Sequence, residues 1–152
     1  MIKILSTANK KETEFLRRKT AEFDFKKFTA KEIRELIRKM RKVMEEANGV
    51  GLAANQIGLD MKVFVAQVKG KFYAVFNPEI TTTSKEKDLA VEGCLSVPEI
   101  MDEVARPYRI TLKGFDKDGK KLTIRAWGYQ ARVFHHEVDH LNGKLFIDHL
   151  KR

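Results

Sequence analysis

The 152-residue sequence contains one cysteine, three prolines and one tryptophan. A single thiol cannot close an internal disulfide, which suits a reducing compartment and leaves Cys94 free to act as a ligand or nucleophile. No apolar run approaches the roughly 18 residues of a membrane span. The start Met1-Ile2-Lys3 is not followed by the apolar stretch of a signal peptide, so a cytoplasmic protein with no membrane partner is expected. Repeats, low-complexity tracts and Pro/Ser-rich linkers are all missing, and the chain reads as a single domain over residues 1–152. It also lacks paired zinc-finger Cys and His, an RNP-like aromatic motif and basic heptads, which argues against sequence-specific nucleic-acid recognition. Positive charge is in excess, with 30 Lys and Arg against 21 Asp and Glu, a formal +9. Spread over surface positions, that charge mainly keeps the protein soluble and leaves a diffuse attraction to anionic surfaces.

Local patterns give an α+β order. Thr29 and Glu32 form a capping box ahead of Ile33, Leu36, Ile37, Met40, Val43, Met44 and Ala47, an amphipathic N-terminal helix that stops at Gly49. Met61 to Val68, a Lys69-Gly70-Lys71 turn and Phe72 to Phe76 read as a hairpin closed off by Asn77-Pro78. Tyr108 to Phe115 and Leu122 to Trp127 read as a second hairpin, and Tyr129 to Asn142 as a helix with Gly143 as its C-cap. Strands grouped together predict antiparallel or mixed sheets packed around the C-terminal helix.

That last helix carries His136-Glu137-Val138-Asp139-His140, an H-E-x-x-H motif that sets two imidazoles one turn apart on one face. They can share a cation, while Glu137 lies where a carboxylate takes a proton from activated water and returns it to a leaving group. The third ligand decides the enzyme class. The metzincin extension has Gly143 in place but Phe146 where its third His belongs, and no Glu follows the motif to serve in the thermolysin manner. His149 reads as a surface residue. Cys94, in the Glu92-Gly93-Cys94-Leu95-Ser96 segment read as a loop between strands, is the better candidate. Upstream, Gly49-Val50-Gly51-Leu52-Ala53-Ala54-Asn55-Gln56 permits close backbone approach to a ligand and offers an amide donor in Gln56. It follows a helix and has no P-loop Lys, so a dinucleotide or phosphate loop is excluded. Glu92 is nominated to accept the second N–H of His136, and Asp139 to pair with Arg106.

Taken together, the three segments resemble the peptide deformylase signatures G-x-G-L-A-A-x-Q, E-G-C-L-S and Q-H-E-x-D-H-L-x-G, in order, from Gly49 to Gly143. The resemblance implies an enzyme that takes the N-formyl group from formyl-methionyl nascent chains. It implies Cys94, His136 and His140 as ligands of one divalent ion, Fe(II) in family fashion or Zn, Ni or Co, and Glu137 as base and then acid. It also implies Gln56 and the Leu95 amide as oxyanion donors, Val50 and Gly51 as backbone partners of the substrate, and a methionine pocket to which Ile100, Val133 and Phe134 are assigned. Departures are His135 where Gln usually precedes the motif, which could compete for the metal, an altered loop around Met101, and an N-terminal element reduced to Phe15-Leu16-Arg17. No counterpart of a C-terminal helical extension follows, so contact with the ribosome is expected through the basic surface alone. A bacterial or phage-encoded source fits this reading. Two alternatives stay open: a zinc endopeptidase, which would tolerate loss of Cys94, and a metal-binding or RNA-associated module without catalysis.

Overall fold

The computed structural model describes residues 2–150. Its elements are α1 (Lys10–Leu16), α2 (Ala30–Glu46), β1 (Gly51–Ala53), β2 (Val63–Val68), β3 (Lys71–Thr83), β4 (Lys87–Cys94), β5 (Val97–Pro107), β6 (Arg109–Phe115), β7 (Lys121–Trp127) and α3 (Gly128–Leu141). Short 3-10 turns lie at Ala54–Ile57 and Phe146–His149. All strand pairs are antiparallel; one sheet runs β1-β2-β3-β6-β7 and a separate ribbon is β4-β5. The fold is α+β.

Alternation on the strands sorts the larger sheet into two faces. Phe64, Ala66, Val75, Ile110, Leu112 and Ala126 point to one side, where they meet Ala131, Phe134, Val138 and Leu141 of α3. Val63, Val65 and Phe76 point to the other, against Ile33, Met40, Val43 and Met44 of α2. The α2 start is the expected reciprocal cap: Glu32 N donates to Thr29 Oγ1 at 3.1 Å, and Thr29 N to Glu32 Oε1 at 2.9 Å.

Two expectations need correction. Asn77-Pro78 does not end β3, which runs on to Thr83 through a bulge between Phe76 and Glu79. Asn77 takes a positive φ of 49°, and its side chain closes a two-way bond with the Phe23 backbone, so the bulge absorbs the Pro that cannot donate to a ladder. Cys94 is the last residue of β4, paired with Val97, and does not sit in a free loop. The ribbon gives little signal in the sequence because its strands are mostly exposed and carry little apolar alternation. Helix α1 is a further element that the local patterns do not predict; Asn9 caps it, and its end is anchored by buried Leu16 and an Arg17–Asp148 pair at 2.5 Å.

Candidate metal centre and active site

The apolar face of α3 fixes the helix on the sheet, and that leaves its polar face toward the ribbon. His136 and His140 bring their Nε2 atoms to 3.2 Å, and Cys94 Sγ stands 3.1 Å from His140 Nε2. All three donor atoms lie within 4.8 Å of one another. A tetrahedral ion with N and S ligands sets edges of about 3.4–3.6 Å, close to this spacing. Burial works to lower the pKa of His136, but Cys94 and Glu92 outweigh it and push it up to about 10. Burial, with His136 alongside, holds His140 well below its ordinary value. One sulfur and two imidazole nitrogens converging at this spacing are a donor set that suits iron, zinc, cobalt or nickel. His135, the adjacent imidazole, is turned aside: its Nε2 is 3.9 Å from Asp139, and it is not in the donor cluster.

A buried set of charges holds the ligands. Glu92 Oε1 accepts from His136 Nδ1 at 2.9 Å and from Arg106 Nη2 at 2.9 Å; its Oε2 accepts from Arg106 Nε at 2.5 Å and Arg132 Nη1 at 2.6 Å. Burial alone would raise the pKa of Glu92, yet His136 and Arg106 hold it well below the usual carboxylate range. The bond to Nδ1 leaves the Nε2 lone pair of His136 facing the other two donors. Arg106 also reaches Asp139 at 2.9 Å, and His149 Nε2 meets the same Asp139 oxygen at 2.8 Å. Asn55 Nδ2 donates to the His140 carbonyl at 2.7 Å, which ties the Ala54–Ile57 turn to the end of α3.

The donors open into a cavity of about 570 Å³ between the ribbon, α3 and the Gly49–Gln56 segment. Glu137 lines it with a buried carboxylate whose Oε1 has no hydrogen-bond partner among the described residues. Burial pushes its pKa up to about 7, against the pull of His136 and Arg106. A methyl group at Gly51 would stand 2.5 Å from Glu137 Oε2, so only glycine lets this carboxylate lie against β1. The Val50 carbonyl is taken by Gln67 N at 2.8 Å. Antiparallel alternation then turns the N–H and C=O of Gly51 to the free edge of β1, so of the two residues named for backbone alignment, Gly51 offers its backbone and Val50 an exposed side chain at the rim. Gln56 Oε1 accepts from Ala53 N at 2.9 Å, which orients its Nε2 to Ser96 Oγ at 3.0 Å and toward Cys94 Sγ at 3.8 Å. Leu95 lines the cavity next to Cys94. Ile100 and Val133 line it too, but Phe134 does not: it is fully buried on the sheet side, 5.0 Å from Tyr73 and 5.7 Å from Phe64 between ring centres. Helical geometry explains the correction, since each position on α3 is turned about 100° from the one before, which carries Phe134 off the cavity rim that Val133 reaches and onto the sheet.

A model of the family described as polypeptide deformylase matches residues 2–152. The chain belongs to the polypeptide deformylase family. It is 44% identical over 119 residues to a peptide deformylase of Treponema pallidum (strain Nichols), covering 78% of this chain and 74% of that relative. The crystal structure of peptide deformylase from Thermotoga maritima superposes with a TM-score of 0.89 at 37% identity, covering 100% of this chain and 99% of that one. The enzyme from Thermus thermophilus gives 0.89 at 38% identity over 99% and 86% of the two chains. Membership of this hydrolase family places the present chain among enzymes. No helix among the described residues is long and apolar enough to cross a membrane.

Three residues of the deformylase site are additions to those read from the sequence. Ser96, fully buried, orients Gln56; Arg132 shares Glu92 with Arg106; His149, expected at the surface, is bonded to Asp139. Arg132 alone has a readable signal, because it precedes His136 by one helical turn on the same face.

Proposed function

We propose that this chain hydrolyses the N-formyl group of formyl-methionyl nascent polypeptides, releasing formate and a free amino terminus. The observation that carries the reading is a buried, unpartnered carboxylate, Glu137, lying between the free edge of β1 and the three converging donors. Cys94, His136 and His140 hold a divalent ion, Fe(II) natively, with Zn, Ni or Co able to replace it. When bound, that ion supplies the Lewis acidity that makes water a nucleophile at neutral pH.

The Gly51 edge pairs with the substrate backbone as an added strand, and the apolar cavity wall with Ile100 and Val133 takes the methionine side chain. Glu137 accepts a proton from the attacking water and passes it to the leaving amine, while the formyl carbon keeps the new C–O bond. Gln56 Nε2 and the Leu95 N–H stabilise the oxyanion in between. Glu92, Arg106, Asp139 and Arg132 act behind the ligands by fixing their orientation. Residues 1–152 act as one domain in the cytoplasm, meeting the ribosome transiently through basic surface.

The test is formate release from formyl-Met-Ala-Ser by protein purified without oxygen, beside Glu137→Ala and a metal assay. Release by the parent protein alone, with metal retained in both, supports the reading. Absence of release from metal-loaded parent protein overturns it.

A further inference from the structure

The larger sheet has one face that the helices leave half bare. On its α2 side, α2 covers β1, β2 and part of β3, and Phe115 at one end of β6 reaches that same core. Beyond Phe115 the outward positions of β6 and β7 have no cover among the described residues. In register they read Arg109 beside Trp127, Thr111 beside Arg125, Lys113 beside Thr123, and Phe115 beside Lys121. The inward positions Ile110, Leu112, Ile124 and Ala126 pack toward α3, so the outward row is solvent-facing by the same alternation that builds the core.

Four cations share this small face with two carboxylates, Glu79 beside Lys113 in the β3-β6 register and Glu86 near Arg109. Lys113, Lys121 and Arg125 enter no ion pair among the described residues, and Arg109 meets Glu86 only at 4.0 Å with both side chains about two-thirds exposed. Such a pair neutralises little. Between the two arginines lies a groove of about 320 Å³ walled by Thr82, Thr111 and Trp127. Thr82 Oγ1 donates to Thr111 Oγ1 at 2.8 Å, which fixes the floor. Trp127, the chain's one tryptophan, is 56% exposed and lines the groove.

We propose that this face binds a single-stranded or looped RNA segment, with Arg109, Lys113, Lys121 and Arg125 on phosphates and Trp127 stacked on an unpaired base. A row of exposed cations that outnumbers its neighbouring carboxylates fits the regular charge of a phosphate backbone, and an exposed indole beside it supplies the stacking platform that such binding uses. An acidic peptide would satisfy the cations but leave the indole in water, so RNA is favoured.

The experiment titrates the full chain with a fluorescein-labelled oligouridylate, reading both RNA anisotropy and Trp127 fluorescence over a salt series. We expect quenching of Trp127 and a log K against log salt slope of about −3. Arg125→Glu should weaken binding and flatten the slope by about one unit, and Lys121→Glu should act in the same direction. Trp127→Leu should cost on the order of ten- to a hundredfold in anisotropy-measured affinity. Lys39→Glu, an exposed change on α2, should leave binding near the parent value, and thermal melts confirm that each variant folds. Equal weakening by Lys39→Glu, binding without quenching, equal competition by polyglutamate, or no binding at low salt would each overturn the proposal.

Discussion

The five-stranded sheet and the β4-β5 ribbon flank the same helix and are held by different forces. On the sheet side α3 lays Phe134, Val138 and Leu141 against Phe64, Val75 and Leu112, all within a few per cent of full burial. On the ribbon side the contact is ionic: Glu92 and Arg106 from β4 and β5 meet Arg132, His136 and Asp139 from α3. Leu89 and Val91 of the ribbon remain exposed. Apolar packing is non-directional and holds the helix in place, whereas charge-assisted hydrogen bonds have narrow geometry and set the angle of each ligand. The scaffold is therefore built on one face of α3 and the chemistry on the other.

The strongest test of that division is to remove the ribbon's donor. Cys94→Ala should lose bound metal and with it all formate release, while far-UV circular dichroism stays unchanged; retained metal and formate release would remove Cys94 from the ligand set. Next in size is Glu137→Gln, expected to lower kcat by about 10²–10⁴ with metal retained. In metal-free protein the same variant should also flatten a pH effect. Glu137 is raised to about 7 in the fold from an ordinary value near 4.5, so the folded form holds the proton more tightly. Its stabilising contribution is full below about 4.5 and is lost as pH rises through about 7, and denaturant titrations across that range would show the loss in the parent protein only.

Arg106→Met and Phe64→Ala compare the two faces directly. Each should cost about 3–5 kcal/mol, the first by leaving Glu92 and Asp139 short of their guanidinium and the second by opening a cavity. Their pH behaviour should separate them. Glu92 has a depressed pKa in the parent, so its contribution is present above the usual carboxylate range and lost as pH falls through the folded value. The Arg106→Met deficit should therefore shrink in acid while the Phe64→Ala deficit persists, and equal pH dependence would end the distinction. Gly51→Ala should lower kcat by on the order of tenfold or more through its clash with Glu137, without loss of metal. Smallest is Lys42→Ala, which breaks a pair to Glu46 at 3.9 Å between exposed side chains and should change stability by no more than about 0.5 kcal/mol.

The legible parts of the sequence follow the same boundary. Helix α2, β6, β7 and α3 each carry a cap or a clear apolar period, since they bury one face against a core, while β2 reads as an apolar run because both its faces are buried. The ribbon has no such period, and β3 reads as too short because Pro78 looks like a stop until the Asn77 bulge is seen. Within the site, the grouping of Cys94, His136 and His140 follows from residue types and the H-E-x-x-H spacing, and Glu92 with His136 from the need for a tautomer-fixing acceptor. Phe134 lies one helical position away from the cavity wall. Ser96 and His149 give no signal because their partners, Gln56 and Asp139, are chosen by the fold.

The sequence by itself determined the α+β order, the family resemblance and the chemical inventory of the site, because helical periodicity, strand alternation and motif spacing act over a few residues. Only the tertiary structure decided which backbone edge faces the cavity, why position 51 has no side chain, and how Glu92 is shared among two arginines and a histidine. Those facts depend on contacts between segments dozens of residues apart. Their geometry is set by how α3 packs between sheet and ribbon, which local patterns do not encode.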